Sequence, residues 1–194
     1  MSKNSEARER VLAAAEKLFS ERGYISVSLR DIAEEIGIKH TSLYHHAPDG
    51  KEALYVEVSE RLFERHQKAM NEAMLQHPED LRAQLRAIAD WLLSQPPVDS
   101  IQVVNIEMPL LERANAERLS DAAEAALLTP LRSALIAAHK RSEIGQHDFL
   151  MVAGGLIGMI ESLHAVPTFG VEKAREQMAY ELIDIFLEGL LVNR

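Results

Sequence analysis

The chain has 194 residues, 47% of them apolar, and carries 21 Lys and Arg against 30 Asp and Glu for a net charge of −9. That apolar content builds a proper core and excludes general disorder, while the absence of cysteine excludes disulfides, thiolate metal sites and cysteine nucleophiles. No apolar run approaches the ~18 residues of a membrane span and no basic segment leads an apolar export signal, so a cytoplasmic protein without membrane contact is expected.

Aromatics make up 5% of the chain, and Ala, Leu, Glu and Arg dominate, which favours an all-α fold. Val11, Leu12, Ala15, Leu18 and Phe19 repeat at helical spacing and predict a first amphipathic helix that ends at Gly23. Ser28, with Asp31 three places on, forms a capping box for a short second helix carrying Leu29, Ile32, Ala33 and Ile36. Gly37 stops it, and a third helix follows from about Lys39 to His46, with Leu43 its one strongly apolar residue. Two short helices across a glycine turn form a helix-turn-helix, whose second member enters the DNA major groove. An ordinary helical hairpin is the competing reading of the same pattern.

Pro48, Asp49 and Gly50 interrupt the chain, and Asp49 with Glu52 caps a fourth helix from Lys51 towards Met74. A fifth carries Leu81, Leu85, Ile88, Ala89 and Leu92, and Ser94–Ser100 with its Pro96-Pro97 pair is a connector inside a domain. A sixth helix, from about Ile101 to Leu111, is bent near Pro109, and a seventh, from about Ala116 to Lys140, kinks at Pro130. The eighth, about Gln146 to Ala165, contains Gly154, Gly155 and Gly158, which point to a close helix crossing. The ninth ends in a segment, Leu182 to Val192, that is apolar on more than one face. One core contact does not cover such a helix, so a second copy of the chain is the expected partner.

The charge is unevenly spread. Residues 1–51 hold eight Lys or Arg and eight Asp or Glu and sum to zero, so the whole −9 lies in residues 52–194. A neutral head with His40, His45 and His46 tolerates a phosphate backbone, whereas the acidic remainder repels it.

SLRDIAEEIGIKHTSLYHHAPDGKEAL, residues 28–54, resembles the DNA-binding motif of the tetracycline-repressor (TetR) family, and the likeness runs back through RERVLAAAEKLFSERGY. Phe19, Gly23, Leu29, Ile32, Ala33, Gly37, Leu43, Tyr44, His46, Lys51 and Leu54 agree together. The resemblance implies a helix-turn-helix domain over 1–50 and a helical effector-binding and dimerisation domain over 51–194, about nine helices in all. It further implies a homodimeric regulator, in the usual case a repressor, on a palindromic DNA operator, answering to an unidentified small-molecule effector without a cofactor. Tyr44 and Lys51 match phosphate-contact positions, and Ser28 at a helix start faces a phosphate or simply caps. Lys39, His40, Thr41, Ser42 and His45 fall where side chains reach base edges. Ala47 departs from the family's usual phenylalanine, leaving a looser head or one filled by a neighbour such as Tyr55.

Trp91, Asn105, Glu107, Met108, Arg113, His139, Met159, Glu161 and His164 mix apolar surface with a few polar groups, as an effector cavity would. For the interface between copies, Phe149, Val152, Leu156, Ile160, Leu182, Ile185, Phe186 and Leu190 supply the apolar stripes. His139, Glu143, His147 and Asp148 cross a break at Gly145 without a metal-ligand pattern and read as solvated surface. No nucleophile and base pairing and no phosphate loop marks an enzyme. A module of the same fold with weak or vestigial DNA binding is the alternative function, motivated by Ala47 and the acidic balance.

Overall fold

The computed structural model describes residues 3–96, 103–167 and 173–191. Among these residues it is all-α: nine helices with short π-helical and 3₁₀ turns, and no strand beyond an isolated bridge between Ile144 and Leu191. The far end of the Ser94–Ser100 connector, the start of the expected sixth helix, Gly170 and Val192 lie outside the described residues. No helix described is long and apolar enough to cross a membrane.

The backbone falls into two compact units, Met1–Leu62 with Val98–Ala122, and Phe63–Pro97 with Ala123–Arg194. In the first, α1 (Lys3–Ser26) buries Val11, Leu12, Ala15, Leu18 and Phe19 along one stripe. Its backbone leaves the helix at Gly23 (φ 76°, ψ 165°), a region open in practice to glycine alone. α2 (Leu29–Glu35) begins with the expected capping box, the Asp31 amide donating to Ser28 Oγ at 3.2 Å and the Ser28 amide to Asp31 Oδ2 at 2.7 Å. α3 is a single turn, His40–Leu43, shorter than expected, with the chain continuing as turns to His46.

α4 (Gly50–Gln76) starts in the first unit and continues in the second. Glu52 does not cap α4: its Oε1 accepts from the Glu112 amide at 2.8 Å and from Asn115 Nδ2 at 2.7 Å, and so caps α6 (Arg113–Ala123) instead. The expected sixth helix is not α-helical where described. Val103–Glu107 is a π-helical turn and Met108–Leu110 a 3₁₀ turn. Pro109 has no N–H to continue an α-helical ladder, and a widened turn just before it absorbs the mismatch. The expected seventh helix is divided in the same way, α6 joining α7 (Thr129–Lys140) through a π-helical turn, Glu124–Leu128, directly before Pro130.

In the second unit α5 (Leu81–Ser94), capped by Asp80 through the Ala83 amide, buries Leu81, Leu85, Ile88, Ala89 and Leu92. α8 (Phe149–Ser162) is capped by Asp148. α9 (Arg175–Leu190) packs chiefly on α5, and Gly145 donates to the Leu190 carbonyl at 2.8 Å, tying its end to the loop before α8. Leu85, Ile88, Leu92, Leu131, Leu135, Leu156, Ile160 and Ile183 form the centre of this core. Burial is worth about 1.5–3 kcal/mol for each such side chain, and Trp91, Phe149 and Phe186 pack half-buried around this aliphatic centre. Gly154, Gly155 and Gly158 correct one expectation. A Cβ built on any of them meets nothing within 4 Å, so they mark no helix crossing within one chain.

Candidate nucleic-acid interface

α3 has too few residues to stand alone. Leu43, fully buried, anchors it from one side, and the turn before it fixes its direction. The Ile38 amide donates to the Ala33 carbonyl at 3.0 Å and the Gly37 amide to the Glu34 carbonyl at 3.1 Å, with Gly37 at φ 71°. This pair of bonds is a Schellman closure, and the positive φ makes glycine the cheapest residue there. Lys17 pairs with Glu35 at 2.7 Å and Arg10 donates to the Ile36 carbonyl at 3.0 Å, fastening the end of α2 to α1.

With Leu43 turned inward, Lys39, His40, Thr41, Tyr44 and His45 are exposed and Ser42 is half-buried. The His40 and Tyr44 rings meet edge to face at 5.1 Å, so the phenol is braced one turn along. Ser28 is exposed, but its hydroxyl is 2.5 Å from Asp31 Oδ2 and its oxygen serves the cap, so its placement follows from α2 alone. The Ser28 hydroxyl and then the Ser28 amide, both donating to Oδ2, hold the Asp31 carboxyl below its ordinary range.

Lys51 lies at the start of α4, where unpaired helix amides favour an anion. Its Nζ sits 4.2 Å from the centre of the Tyr24 ring and makes a long hydrogen bond, 3.5 Å, to the Ile25 carbonyl. Burial pushes the ammonium pKa down, opposed by the charges of Glu107 and Asp31. Neither Lys39 nor Lys51 has a carboxylate partner among the described residues. The cations behind them do: Arg8 with Glu57, Lys17 with Glu35, Arg30 with Glu34 and Arg61 with Glu9.

Ala47 is buried. The aromatic residues Phe19, Tyr24 and Tyr55 of the same unit cluster together, with ring centres 4.8–6.2 Å apart. Burial, then the adjacent Glu107 carboxylate, pushes the Tyr55 phenol far up.

Residues 11–58 match the model of the family described as "Bacterial regulatory proteins, tetR family". The N-terminal quarter of the chain thus carries the DNA-binding domain of this family. Among curated tetR-family relatives, the HTH-type transcriptional regulator LmrA of Bacillus subtilis (strain 168) is 44% identical over 52 residues, 27% of this chain and 28% of LmrA. The similarity to that relative thus spans little more than a quarter of its length. The fold likeness is wider. A tetR-family regulatory protein from Rhodococcus RHA1 superposes with a TM-score of 0.77 at 17% identity over 100% of both chains. AibR, solved with isovaleryl coenzyme A and operator DNA, gives 0.74 at 20% identity over 92% of this chain and 96% of its own.

The residues expected to form an effector cavity are divided between the two units. Asn105, Glu107, Met108 and Arg113 belong to the first unit, where Arg113 is exposed and pairs with Glu117. Glu107 is buried and serves the head: its Oε1 accepts from the Tyr24 amide and its Oε2 from the Tyr55 hydroxyl, both at 2.9 Å. Trp91, His139, Met159, Glu161 and His164 belong to the second unit and are half-buried. Glu161 and His164 approach to 3.9 Å at the end of α8. Trp91 donates to His66 Nδ1 at 3.0 Å, a partner not anticipated from sequence. His66 is 4% exposed, and burial pushes its pKa down to about 4, so it is the neutral, Nε2-protonated tautomer.

Of the residues expected at an interface between copies, Val152, Leu156, Ile160 and Leu190 belong to the core of the single chain. Phe149, Leu182 and Phe186 pack half-buried against it, and Ile185 is 66% exposed. Ile185 of the expected set shares the exposed surface with Gly189 on α9, and on α8 Leu150 and Met151 are exposed with the three glycines. The residues weighed as a metal site have separate structural tasks. His139 donates to the Ile144 carbonyl at 3.1 Å, His147 approaches the Leu190 carbonyl at 3.4 Å, Glu143 pairs with Arg141, and Asp148 caps α8.

Proposed function

We propose that this chain is a transcriptional regulator of repressor type that binds a palindromic DNA operator as a homodimer and responds to a small molecule held within residues 51–194. The observation that carries the reading is the exposed set on and beside α3, backed by two lysines without carboxylate partners. Lys39, His40, Thr41, Ser42 and His45 read base edges; Tyr44 and Lys51 meet backbone phosphates, Lys51 with help from the amides at the start of α4. Ser28 contributes by starting α2. The glycine-bearing face of α8 and the exposed Ile185 of α9 support pairing of two copies, because backbones without side chains approach closely and apolar area gains about 25 cal/mol per Å² when covered. The effector role is drawn from likeness: AibR is solved with an acyl coenzyme A and operator DNA together, and a putative regulator from Saccharomonospora viridis with choline.

Selection of bound sites from a random duplex pool by the purified protein tests this. A palindromic winner is expected, with affinity falling steeply as salt rises. Tyr44→Phe and Lys51→Ala then weaken binding to every sequence alike, while changes at Lys39 or Thr41 alter the preference among sequences. No enrichment by folded, dimeric protein would refute operator recognition and favour a module that binds ligands or other proteins.

A further inference from the structure

Glu107 is a carboxylate with 2% of its surface exposed, 52 residues from Tyr55 and 83 from Tyr24 in sequence. A buried carboxylate is costly unless its oxygens are hydrogen-bonded, and here each oxygen has a named donor. The Tyr24 amide is the first after Gly23, where the backbone leaves the α1 helix, so Glu107 fixes the turn that follows. Lys51 rests on that same turn, over the Tyr24 ring and against the Ile25 carbonyl. Tyr55, the second donor, packs on Tyr24 at 4.8 Å between ring centres and so braces the ring. Every link lies within the first unit.

We propose that Glu107 is a positioning residue for DNA binding: by holding the Tyr24 amide and the Tyr55 hydroxyl it fixes the aromatic platform that aims the Lys51 ammonium at a phosphate. This rests on the reading of the α4 start as a phosphate contact. Glu107 touches no DNA itself. Its negative charge also favours the charged form of Lys51 against the burial that disfavours it, in keeping with the geometry.

The test uses the full chain, a duplex carrying the selected operator, and affinity measured across a salt series. Glu107→Ala is expected to weaken binding about tenfold and to flatten the log–log salt dependence by about 0.9, the mark of one lost phosphate contact. Adding Glu107→Ala to Lys51→Ala is expected to cost nothing beyond Lys51→Ala alone, since both act through one contact. Glu107→Gln keeps both bonds within reach, its carbonyl accepting from Tyr24 and its amide donating to the Tyr55 oxygen, and is expected to restore most of the affinity. Tyr55→Phe, which deletes one hydroxyl and keeps the ring, gives a second cycle with Lys51→Ala should Glu107→Ala fail to fold. Its loss is expected to be smaller and again absent in the Lys51→Ala background. Losses that add in the double variants, or an unchanged salt slope, overturn the positioning role. Lys51→Ala with unaltered affinity overturns the phosphate contact itself, which separates failure of the underlying reading from failure of this one.

Discussion

His66 makes the second unit a pH-sensitive structure, and the size of the effect follows from its burial. The side chain accepts the Trp91 indole N–H and stays neutral to about pH 4, against an ordinary value of 6.5. Below pH 6.5 the unfolded chain takes up a proton that the folded chain refuses. Stability from this group is therefore complete above pH 6.5 and is lost as pH falls towards 4. The slope reaches about 1.4 kcal/mol per pH unit inside that window, so going from pH 7.5 to 5 removes about 2 kcal/mol. Carboxylates titrate too, and the contribution of His66 is isolated by comparison with His66→Gln, whose carbonyl still accepts from Trp91 but does not ionise. Urea unfolding at both pH values and one protein concentration, followed through the single tryptophan, gives the two differences. Wild type is expected to lose about 2 kcal/mol more than His66→Gln on acidification. Equal losses, or a His66 ring that titrates near 6.5 by NMR, would refute the reasoning.

Two further substitutions test local packing. Ser142 sits at φ 62° in a Schellman closure of α7, with its amide bonded to the His139 carbonyl and that of Glu143 to the Ala138 carbonyl. Ser142→Gly relieves the left-handed strain and is expected to raise unfolding stability by about 0.5–1 kcal/mol in a urea titration. Ala47→Phe restores the residue usual in the family, yet Ala47 is already 4% exposed; the added ring is expected to destabilise by about 1–3 kcal/mol, seen as a lower urea midpoint at unchanged slope.

The elements legible in the sequence were those set by local chemistry. Ser28 and Asp31 are three residues apart and meet as a capping box; Gly23 and Gly37 adopt the positive φ that their places at helix ends require. The segment around Pro109 carried the same apolar spacing as a helix, and periodicity does not distinguish an α-helical from a π-helical turn. Both π-helical turns directly precede a segment containing proline, at 109 and at 130, so the proline was the available sign. In sequence Glu107 reads as one of a few polar groups amid apolar surface, as an effector cavity would hold. Its bonds to the Tyr24 amide and the Tyr55 hydroxyl were not legible, because no spacing rule links positions so far apart. The apolar stripes of α8 and α9 were likewise legible, though which half of each stripe the chain's own core takes was not: Val152 and Leu156 go inward while Met151 stays out.

The same distinction governs charge. Residues 1–51 sum to zero, which reads as indifference to a polyanion, yet a phosphate responds to local cations and not to the total. Arg30 and Glu34 are an i,i+4 pair that sequence alone reveals. Arg8 with Glu57, Lys17 with Glu35 and Arg61 with Glu9 join different helices and appear only when α1, α2 and α4 are packed together. Each cancels a cation where a carboxylate is adjacent; among the described residues Lys39 before α3 and Lys51 at the start of α4 keep no carboxylate partner, and Arg10 is spent on the Ile36 carbonyl. The head is thus neutral in sum and cationic at one edge. That edge is where the exposed hydroxyl and imidazole groups of α3 also lie, so charge and hydrogen-bonding capacity converge on the surface proposed to meet DNA.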